Sequence, residues 1–183
     1  MPNVLIPLAQ GCEELEAVTL IDLLRRAGIN VVVAGLDEQP VCGSRGTHLL
    51  PDTTLDKALA QDFDMVVLPG GQPGTDNLNA DVRVSELLKK MASSGKFTAA
   101  ICAASSVLAN AGLLNGKQAT GYPGVLEAMG LPDILLKDAP VVKDGKVITS
   151  KGPGTAMDFA LELIEILVGK QKREQVEAAL QRP

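Results

Sequence analysis

The fold of this chain is decided by residues 97–106, which read Phe97-Thr98-Ala99-Ala100-Ile101-Cys102-Ala103-Ala104-Ser105-Ser106. The apolar run that ends at Ile101 predicts a buried strand, and the residues after Cys102 predict the start of a helix. Because the amino end of a helix carries partial positive charge and free N–H groups, we expect the pKa of the Cys102 thiol to fall and its reactivity to rise. Cys102 is therefore a candidate nucleophile, with a small buried hydrophobe as the structural alternative.

Outward from this stretch, apolar strands alternate with amphipathic helices. Strands are predicted over 4–8, 30–36, 64–68 and 97–101, and an Asp-Gly pair at 144–145 predicts a hairpin over 141–148. Helices are predicted over 13–27, 55–61, 82–92, 105–111, 155–168 and 170–181. This alternation predicts an α/β fold with a mostly parallel sheet and helices on both faces, in which ligands bind at the carboxyl ends of the strands.

Composition narrows the classes of function. A chain of 183 residues with 46% hydrophobic and 21% charged residues fits one domain over 1–183. A net charge of −5 and an aromatic share of 2% argue against a nucleic-acid partner, since neither a basic stripe nor a stacking surface is offered. No basic leader or long apolar segment is present, so we expect a cytoplasmic chain that does not enter the membrane.

The cysteines and the single histidine indicate neither a disulfide framework nor a metal site. Cys12, Cys42 and Cys102 include no C-x-x-C pair, and a metal centre with two imidazoles is excluded because His48 is alone. We expect the thiols to be reduced, and we expect no cofactor. We interpret Cys12, Cys42 and His48 as bystanders, although Cys12 follows the first strand and could meet a substrate or an oxidant.

A carboxylate on the first helix is out of place. Helical projection puts Glu16 in line with Leu20 and Leu23 on the buried face. Desolvation there would raise the pKa of the carboxyl, so that it stays protonated and can donate a hydrogen bond to a nearby thiolate. Glu13 and Glu14 are weaker candidates, because acidic residues at a helix start are explained by the helix dipole.

A glycine pair after the predicted strand 64–68 is a candidate oxyanion site. The turn Pro69-Gly70-Gly71 lets the backbone approach a ligand, and its N–H groups together with that of Ala103 can stabilise a developing oxyanion. A simple tight turn is the alternative and, from this motif alone, the favoured one.

Four ordered motifs resemble the ThiJ/PfpI superfamily, and in particular its branch with the parkinsonism-associated protein and its bacterial relatives. These motifs lie at 11–16, 68–71, 99–103 and 149–155 and span nearly the whole chain. The resemblance implies a flavodoxin-like sandwich and a homodimer. It also implies Cys102 as the reactive cysteine, Glu16 as the hydrogen-bonding acid, and Gly71 and Ala103 as the oxyanion-hole amides.

The resemblance further implies that Arg45, often contributed across the dimer, binds an anion near the cysteine, and that Gly70 and Tyr122 line the substrate site. Two departures are informative. Ala103 follows the cysteine where the protease-like branch has a histidine, and Tyr122 stands where some closer relatives have one. Peptide or amide hydrolysis is disfavoured, because it needs a base for the nucleophile and an acid for the leaving amine.

Two functions of different class follow from the resemblance. The first is a glutathione-independent glyoxalase or protein deglycase of the glyoxalase III type, which acts on methylglyoxal-like dicarbonyls or on glycated proteins. The second is a stress-response redox sensor or chaperone that works through oxidation of Cys102. Catalytic turnover of a dicarbonyl by the reduced protein distinguishes the enzyme from the sensor.

Overall fold

A computed structural model describes all residues from 1 to 183. Eleven strands are formed, namely β1 (Asn3–Leu8), β2 (Asn30–Gly35), β3 (Val41–Cys42), β4 (His48–Leu49), β5 (Thr53–Thr54), β6 (Met65–Leu68), β7 (Phe97–Ile101), β8 (Gln118–Ala119), β9 (Leu135–Leu136), β10 (Val141–Asp144) and β11 (Val147–Ser150). Eight α-helices are formed, namely α1 (Glu14–Arg26), α2 (Leu55–Ala58), α3 (Gly74–Ala80), α4 (Val82–Ser93), α5 (Ser105–Asn110), α6 (Val125–Ala128), α7 (Ala156–Val168) and α8 (Lys170–Ala179). Short 3₁₀ turns occupy Cys102–Ala104 and Pro153–Thr155.

One seven-stranded sheet organises the molecule, in the order β10-β11-β7-β6-β1-β2-β5. Every neighbouring pair is parallel except the hairpin β10–β11. The α/β prediction with a mostly parallel sheet is therefore confirmed. The carboxyl ends of β1, β6, β7 and β11 lie at one edge, and the loops that carry the predicted site residues follow the strands there.

Both faces of the sheet are buried, and the alternation of side chains along each strand shows how. Ile6 and Leu8 of β1 belong to a core of 27 buried residues, whereas Leu5 belongs to a second core of 24 on the other face. Helices α1, α7 and α8 cover the first core with side chains such as Leu20 and Phe159. Since each fully buried aliphatic side chain stabilises a fold by about 1.5–3 kcal/mol, both helical layers are firmly held.

The elements agree with the predicted ones to within a few residues, with informative exceptions. Helix α3 was not predicted, because Gly74-Thr75-Asp76-Asn77 is poor in helix formers and follows a turn signal. The hairpin turn uses Gly145 at a φ of 61°, and Asp144 belongs to β10, because a two-residue turn needs a left-handed first residue here. The small sheets β3–β4 and β8–β9 were also missed, since two-residue strands carry no periodicity. None of the helices has the length and apolar character needed to span a bilayer.

Candidate active site

Cys102 sits at the turn between β7 and α5 in a conformation that L-residues avoid. Its φ is 61°, in the left-handed region, and the residue opens the short 3₁₀ turn that leads into α5. Such a backbone costs about 1–3 kcal/mol and persists where the surrounding structure enforces it, which is typical of functional sites. The thiol is nearly enclosed, with 7% of the residue exposed. The predicted strand-to-helix turn at Cys102 is thus present.

Glu16 is fully buried beside this thiol, on the face of α1 where the helical projection placed it. Its Oε2 accepts a hydrogen bond of 2.7 Å from the N–H of Gly70, which fixes the carboxyl under the turn after β6. Its Oε1 is also buried and has no well-formed hydrogen bond. A Cβ atom on Gly70 would come within 2.7 Å of Cys102 Cβ and 2.9 Å of Glu16 Oε2. Only glycine fits between the acid and the cysteine.

Burial raises the pKa of Glu16 to about 7. The N–H of Gly70 and the Cys102 thiol oppose this rise because both stabilise the carboxylate, whereas the nearby charge of Glu13 adds to it. The prediction that burial raises the pKa of this carboxyl is confirmed. Glu16 therefore changes protonation near neutral pH while in contact with the candidate nucleophile.

The pKa predicted for Cys102 was wrong in direction. Burial raises the pKa of the thiol to about 12, and the adjacent Glu16 carboxylate raises it further by repelling a thiolate. The N–H groups of Ala103 and Gly71 act in the opposite direction but do not outweigh these two causes. Helix-end electrostatics alone do not activate this thiol, because the turn holds it in an apolar, water-poor position. A nearby base has to take its proton.

The two amides expected to form an oxyanion hole lie at the sulfur. The N–H groups of Gly71 and Ala103 both stabilise negative charge on Cys102. Gly71 has a φ of 90°, and a Cβ atom there would lie 2.2 Å from the backbone nitrogen of Glu13, so the position requires glycine. The N–H of Gly70 is already bonded to Glu16, so this group is not free for a ligand, and the substrate-binding role that the resemblance implied for Gly70 stays a prediction.

Cys12 packs behind this loop and does not face the solvent. Only 1% of the residue is exposed, and burial raises the pKa of its thiol to about 12. Its backbone nitrogen and Cα atom would both lie 2.6 Å from a Cβ atom on Gly74. The expectation that Cys12 could meet a substrate or oxidant was wrong, since the close packing of the two loops covers it.

Glu14 anchors the β3–β4 hairpin to α1, a role that the sequence did not predict. Its carboxylate accepts hydrogen bonds from the N–H groups of Arg45 at 2.9 Å and Thr47 at 3.2 Å and from the Ser44 hydroxyl at 3.3 Å. Burial on its own raises the pKa of this carboxyl, but these bonds and that of its own N–H outweigh it and lower the pKa to about 2. The pattern of residue types at 43–47 carries no signal for such an anchor.

The remaining predicted site residues lie at different distances from Cys102. The backbone of Arg45 is held by Glu14 while its side chain is exposed, and His48 is exposed on β4. Tyr122 is held at the cysteine itself, because its N–H donates a 3.2 Å hydrogen bond to the carbonyl of Cys102. The structure therefore gathers Glu16, Gly71, Ala103 and Tyr122 around Cys102 and leaves Arg45 on the surface of this single chain.

Comparison with known proteins agrees with this geometry. The model of the DJ-1/PfpI family matches residues 2–166. The chain belongs to this family. Within it, the chain is 45% identical over 179 residues to protein dj-1beta of Drosophila melanogaster, a match that covers 97% of this chain and 96% of the fly protein.

One further relative and one solved structure are similar to this DJ-1/PfpI protein. The chain is 37% identical over 169 residues to the glutathione-independent glyoxalase DJR-1.2 of Caenorhabditis elegans, covering 92% of this chain and 89% of that protein. A crystal structure of Drosophila melanogaster DJ-1beta superposes with a TM-score of 0.95 at 43% identity, covering 100% of this chain and 98% of that one.

The raised pKa of Glu16 predicts a pH-dependent cost to the stability of this DJ-1/PfpI chain. Between pH 4.5 and 7 the carboxyl ionises in the unfolded chain but not in the folded one, so stability falls as pH rises through this window. Relative to Glu16→Gln, we expect wild type to lose roughly 3 kcal/mol of unfolding free energy between pH 4 and 8. Urea unfolding at a series of pH values measures this. A Glu86→Gln variant, which alters an exposed glutamate on α4, is the control.

Glu14 predicts the opposite pH dependence. Its lowered pKa contributes stability above pH 4.5 that is lost as the pH falls towards 2. Relative to Glu14→Gln, wild type should lose about 2 kcal/mol of unfolding free energy between pH 6 and 3. Amide hydrogen exchange should also show faster exchange at Arg45 and Thr47 in the variant. Unchanged exchange at both amides would show that Glu14 does not anchor the hairpin.

Proposed function

We propose that this protein is a glutathione-independent glyoxalase that converts small 2-oxoaldehydes such as methylglyoxal into 2-hydroxy acids. The observation that carries the proposal is the contact between a buried carboxyl that titrates near neutral pH and a thiol under two convergent N–H groups. The relative DJR-1.2, which is named as such an enzyme, supports it. Three free cysteines suit a reducing compartment such as the cytoplasm.

The first step creates the nucleophile. Because the thiol of Cys102 has a raised pKa, its proton passes to the Glu16 carboxylate as sulfur attacks the aldehyde carbon. The new S–C bond converts the carbonyl oxygen into an oxyanion, which the N–H groups of Gly71 and Ala103 stabilise. Protonation of this oxygen gives a hemithioacetal, and Glu16 is a carboxylate again.

The second step moves hydrogen between the two substrate carbons. Glu16 removes the proton from the former aldehyde carbon and returns it to the neighbouring carbon, while the hydroxyl proton moves from the oxygen of the first carbon to that of the second. The first carbon is thereby oxidised and the second reduced with no external electron acceptor. The product is a 2-hydroxyacyl thioester on Cys102. Water then cleaves the C–S bond, releasing the 2-hydroxy acid and restoring the thiol.

Access to the cysteine favours small substrates. With 7% of Cys102 exposed, a free dicarbonyl reaches the sulfur more easily than an adduct carried on the surface of another protein. We therefore place dicarbonyls first, and repair of glycated proteins as an extension that uses the same thiol.

A second candidate function is redox sensing at Cys102. The buried Glu16 Oε1 lacks a hydrogen-bonding partner, so a protonated carboxyl can donate there to an oxygen added to sulfur. Peroxide supplies that oxygen: the thiolate attacks one peroxide oxygen, the O–O bond breaks, sulfur is oxidised to sulfenate, and hydroxide leaves as water. A second peroxide gives the sulfinate.

We also propose that the working form is a homodimer. A groove of about 300 Å³ lies between α1 and the β4 end of the hairpin. Six of its nine lining residues are apolar, among them Val18, Ile21, Leu49 and Leu50, and the other three are Asp22, Arg25 and Asp52. Of these residues, Val18 is 46% exposed and Leu50 is 82% exposed in the single chain. A second copy with the same apolar face is the partner that fits, because a two-fold interface pairs identical surfaces.

Substitution in this groove tests the homodimer. Val18→Asp should convert a wild-type dimer into a monomer, because an unpaired carboxylate would be buried at the interface. Sedimentation velocity measures the change, and Val82→Asp, which alters a valine that is 65% exposed on α4, should stay dimeric. A monomeric wild type at micromolar concentration would overturn the proposal.

Lactate formation from methylglyoxal without glutathione tests the enzyme. Reduced wild type should turn over, whereas Cys102→Ser and Glu16→Gln should each lose at least about 100-fold in kcat/KM, since each removes an acid/base or nucleophilic group. The kcat/KM of wild type should rise as pH increases through about 7, where Glu16 becomes the carboxylate that accepts the thiol proton. Glu86→Gln should behave as wild type.

Intact-chain mass spectrometry in the same experiment distinguishes the two functions. If wild type forms no lactate, and mild peroxide adds two oxygens at Cys102 alone, the glyoxalase proposal is wrong and the redox sensor replaces it. If lactate forms equally in the Cys102→Ser variant, the site described above is not responsible.

A further inference from the structure

Tyr122 is an exposed aromatic side chain at the active site of a chain that has few aromatic residues. The sequence contains one tyrosine, three phenylalanines and no tryptophan. Phe63 and Phe159 are buried, whereas 51% of Tyr122 is exposed. An aromatic ring left this open, with no core to fill, is available to contact a ligand.

The ring is supported from below by a glycine. A Cβ atom on Gly152 would lie 3.4 Å from Cδ2 and 3.9 Å from Cε2 of Tyr122, so one edge of the ring packs against Gly152. Gly152 is buried even though it has no side chain, and its N–H is held by Thr155 Oγ1 at 3.1 Å. We call Tyr122 seated on Gly152 the aromatic platform.

The backbone that carries the ring is fixed on both sides. The N–H of Tyr122 donates to the carbonyl of Cys102 at 3.2 Å, and its carbonyl accepts from Val125 at 3.0 Å. In the preceding residue, a Cβ atom on Gly121 would lie 3.0 Å from Ser105 Oγ, so the segment is pressed against the turn that presents the cysteine. The platform is therefore held in place before any ligand arrives.

Sheet topology sets the platform next to the nucleophile. β7 and β11 are parallel neighbours with Ile101 opposite Ser150. Cys102 follows the first strand, and Gly152 follows the second at the same edge. Adjacent strands lie about 4.8 Å apart, so Gly152 and the ring beside it lie close to the turn that carries Cys102.

A cleft lies beside the segment that carries Tyr122, and neither Tyr122 nor Cys102 is among its lining residues. This cleft of about 450 Å³ is lined by Gly121 and Pro123, which flank Tyr122 in sequence, and by Lys151, which precedes Gly152. Its other lining residues include the exposed Leu136. The cleft has room for a flat ring larger than the methyl group of methylglyoxal.

We propose that the aromatic platform makes this active site select electrophiles that carry a flat aryl group, such as arylglyoxals, over their small alkyl counterparts. This rests on the glyoxalase proposed above for turnover, but the selection also applies to any reagent that alkylates Cys102. The aryl group stacks on the exposed face of Tyr122 while the reacting carbon reaches the sulfur. An offset aromatic pair is worth about 0.5–1.5 kcal/mol beyond burial, which is about two- to tenfold in rate.

Two ratios test the proposal. The first is kcat/KM for phenylglyoxal over methylglyoxal, with mandelate and lactate as products. The second is the rate of Cys102 alkylation by N-phenylmaleimide over that by N-ethylmaleimide, measured by peptide mass spectrometry. This ratio is divided by the corresponding ratio for a free thiol, which corrects for the different reactivity of the two reagents. Both ratios should fall about two- to tenfold in Tyr122→Ala. Tyr122→Phe should keep them, since the ring and not the hydroxyl is used, and Val82→Ala, which alters an exposed valine on α4, should leave them unchanged.

The outcomes separate this proposal from the one on which it rests. If neither glyoxal turns over but the maleimide ratio falls in Tyr122→Ala, the platform stands and the glyoxalase is wrong. If both glyoxals turn over and neither ratio changes in Tyr122→Ala, the platform is wrong and the glyoxalase stands. A loss of methylglyoxal turnover equal to that of phenylglyoxal would also overturn it, because that result indicates a structural role for Tyr122.

Discussion

The hydrogen bond from the Gly70 N–H to the Glu16 carboxylate is the contact on which the site depends. It ties helix α1 to the loop after β6, and the two residues enclose the position of Cys102. Burying a carboxyl is unfavourable unless it is hydrogen-bonded, so the loop and the helix hold each other in one arrangement. The carboxyl keeps its second oxygen unpaired, which leaves it able to exchange a proton with the thiol or with an oxygen on sulfur.

The same burial determines how Glu16 and Cys102 hold their protons. Enclosure raises the pKa of both Glu16 and Cys102, so near neutral pH the thiol keeps its proton while the Glu16 carboxyl gains and loses its own. Because the two groups interact, they titrate as a coupled pair, and the observed pKa values describe the pair and not one residue. The N–H groups of Gly71 and Ala103 favour the form with charge on sulfur. In the glyoxalase proposed above, the acid next to the thiol takes the role that a histidine has in cysteine enzymes with a Cys–His pair, and Ala103 after the cysteine is compatible with that role.

Close backbone packing fixes the geometry of the site. Gly70, Gly71 and Gly74 each occupy positions where a Cβ atom would lie under 3 Å from a neighbouring residue. Their absence of side chains lets the loop after β6 press against Cys12 and Glu13, and Glu14 then holds the β3–β4 hairpin on the other side. Three loops from separate parts of the chain meet in this way at one edge of the sheet.

The sequence by itself determined the alternating strands and helices, the turn at Cys102, and the buried position of Glu16, because periodicity and glycine placement are local properties. Tertiary structure alone decided the rest. The pKa of Cys102 rises because burial outweighs the helix end, Gly70 is occupied by Glu16, Cys12 is covered, and α3 forms where propensity is poor. Each depends on which distant segment packs against it, and no local pattern of residue types contains that information.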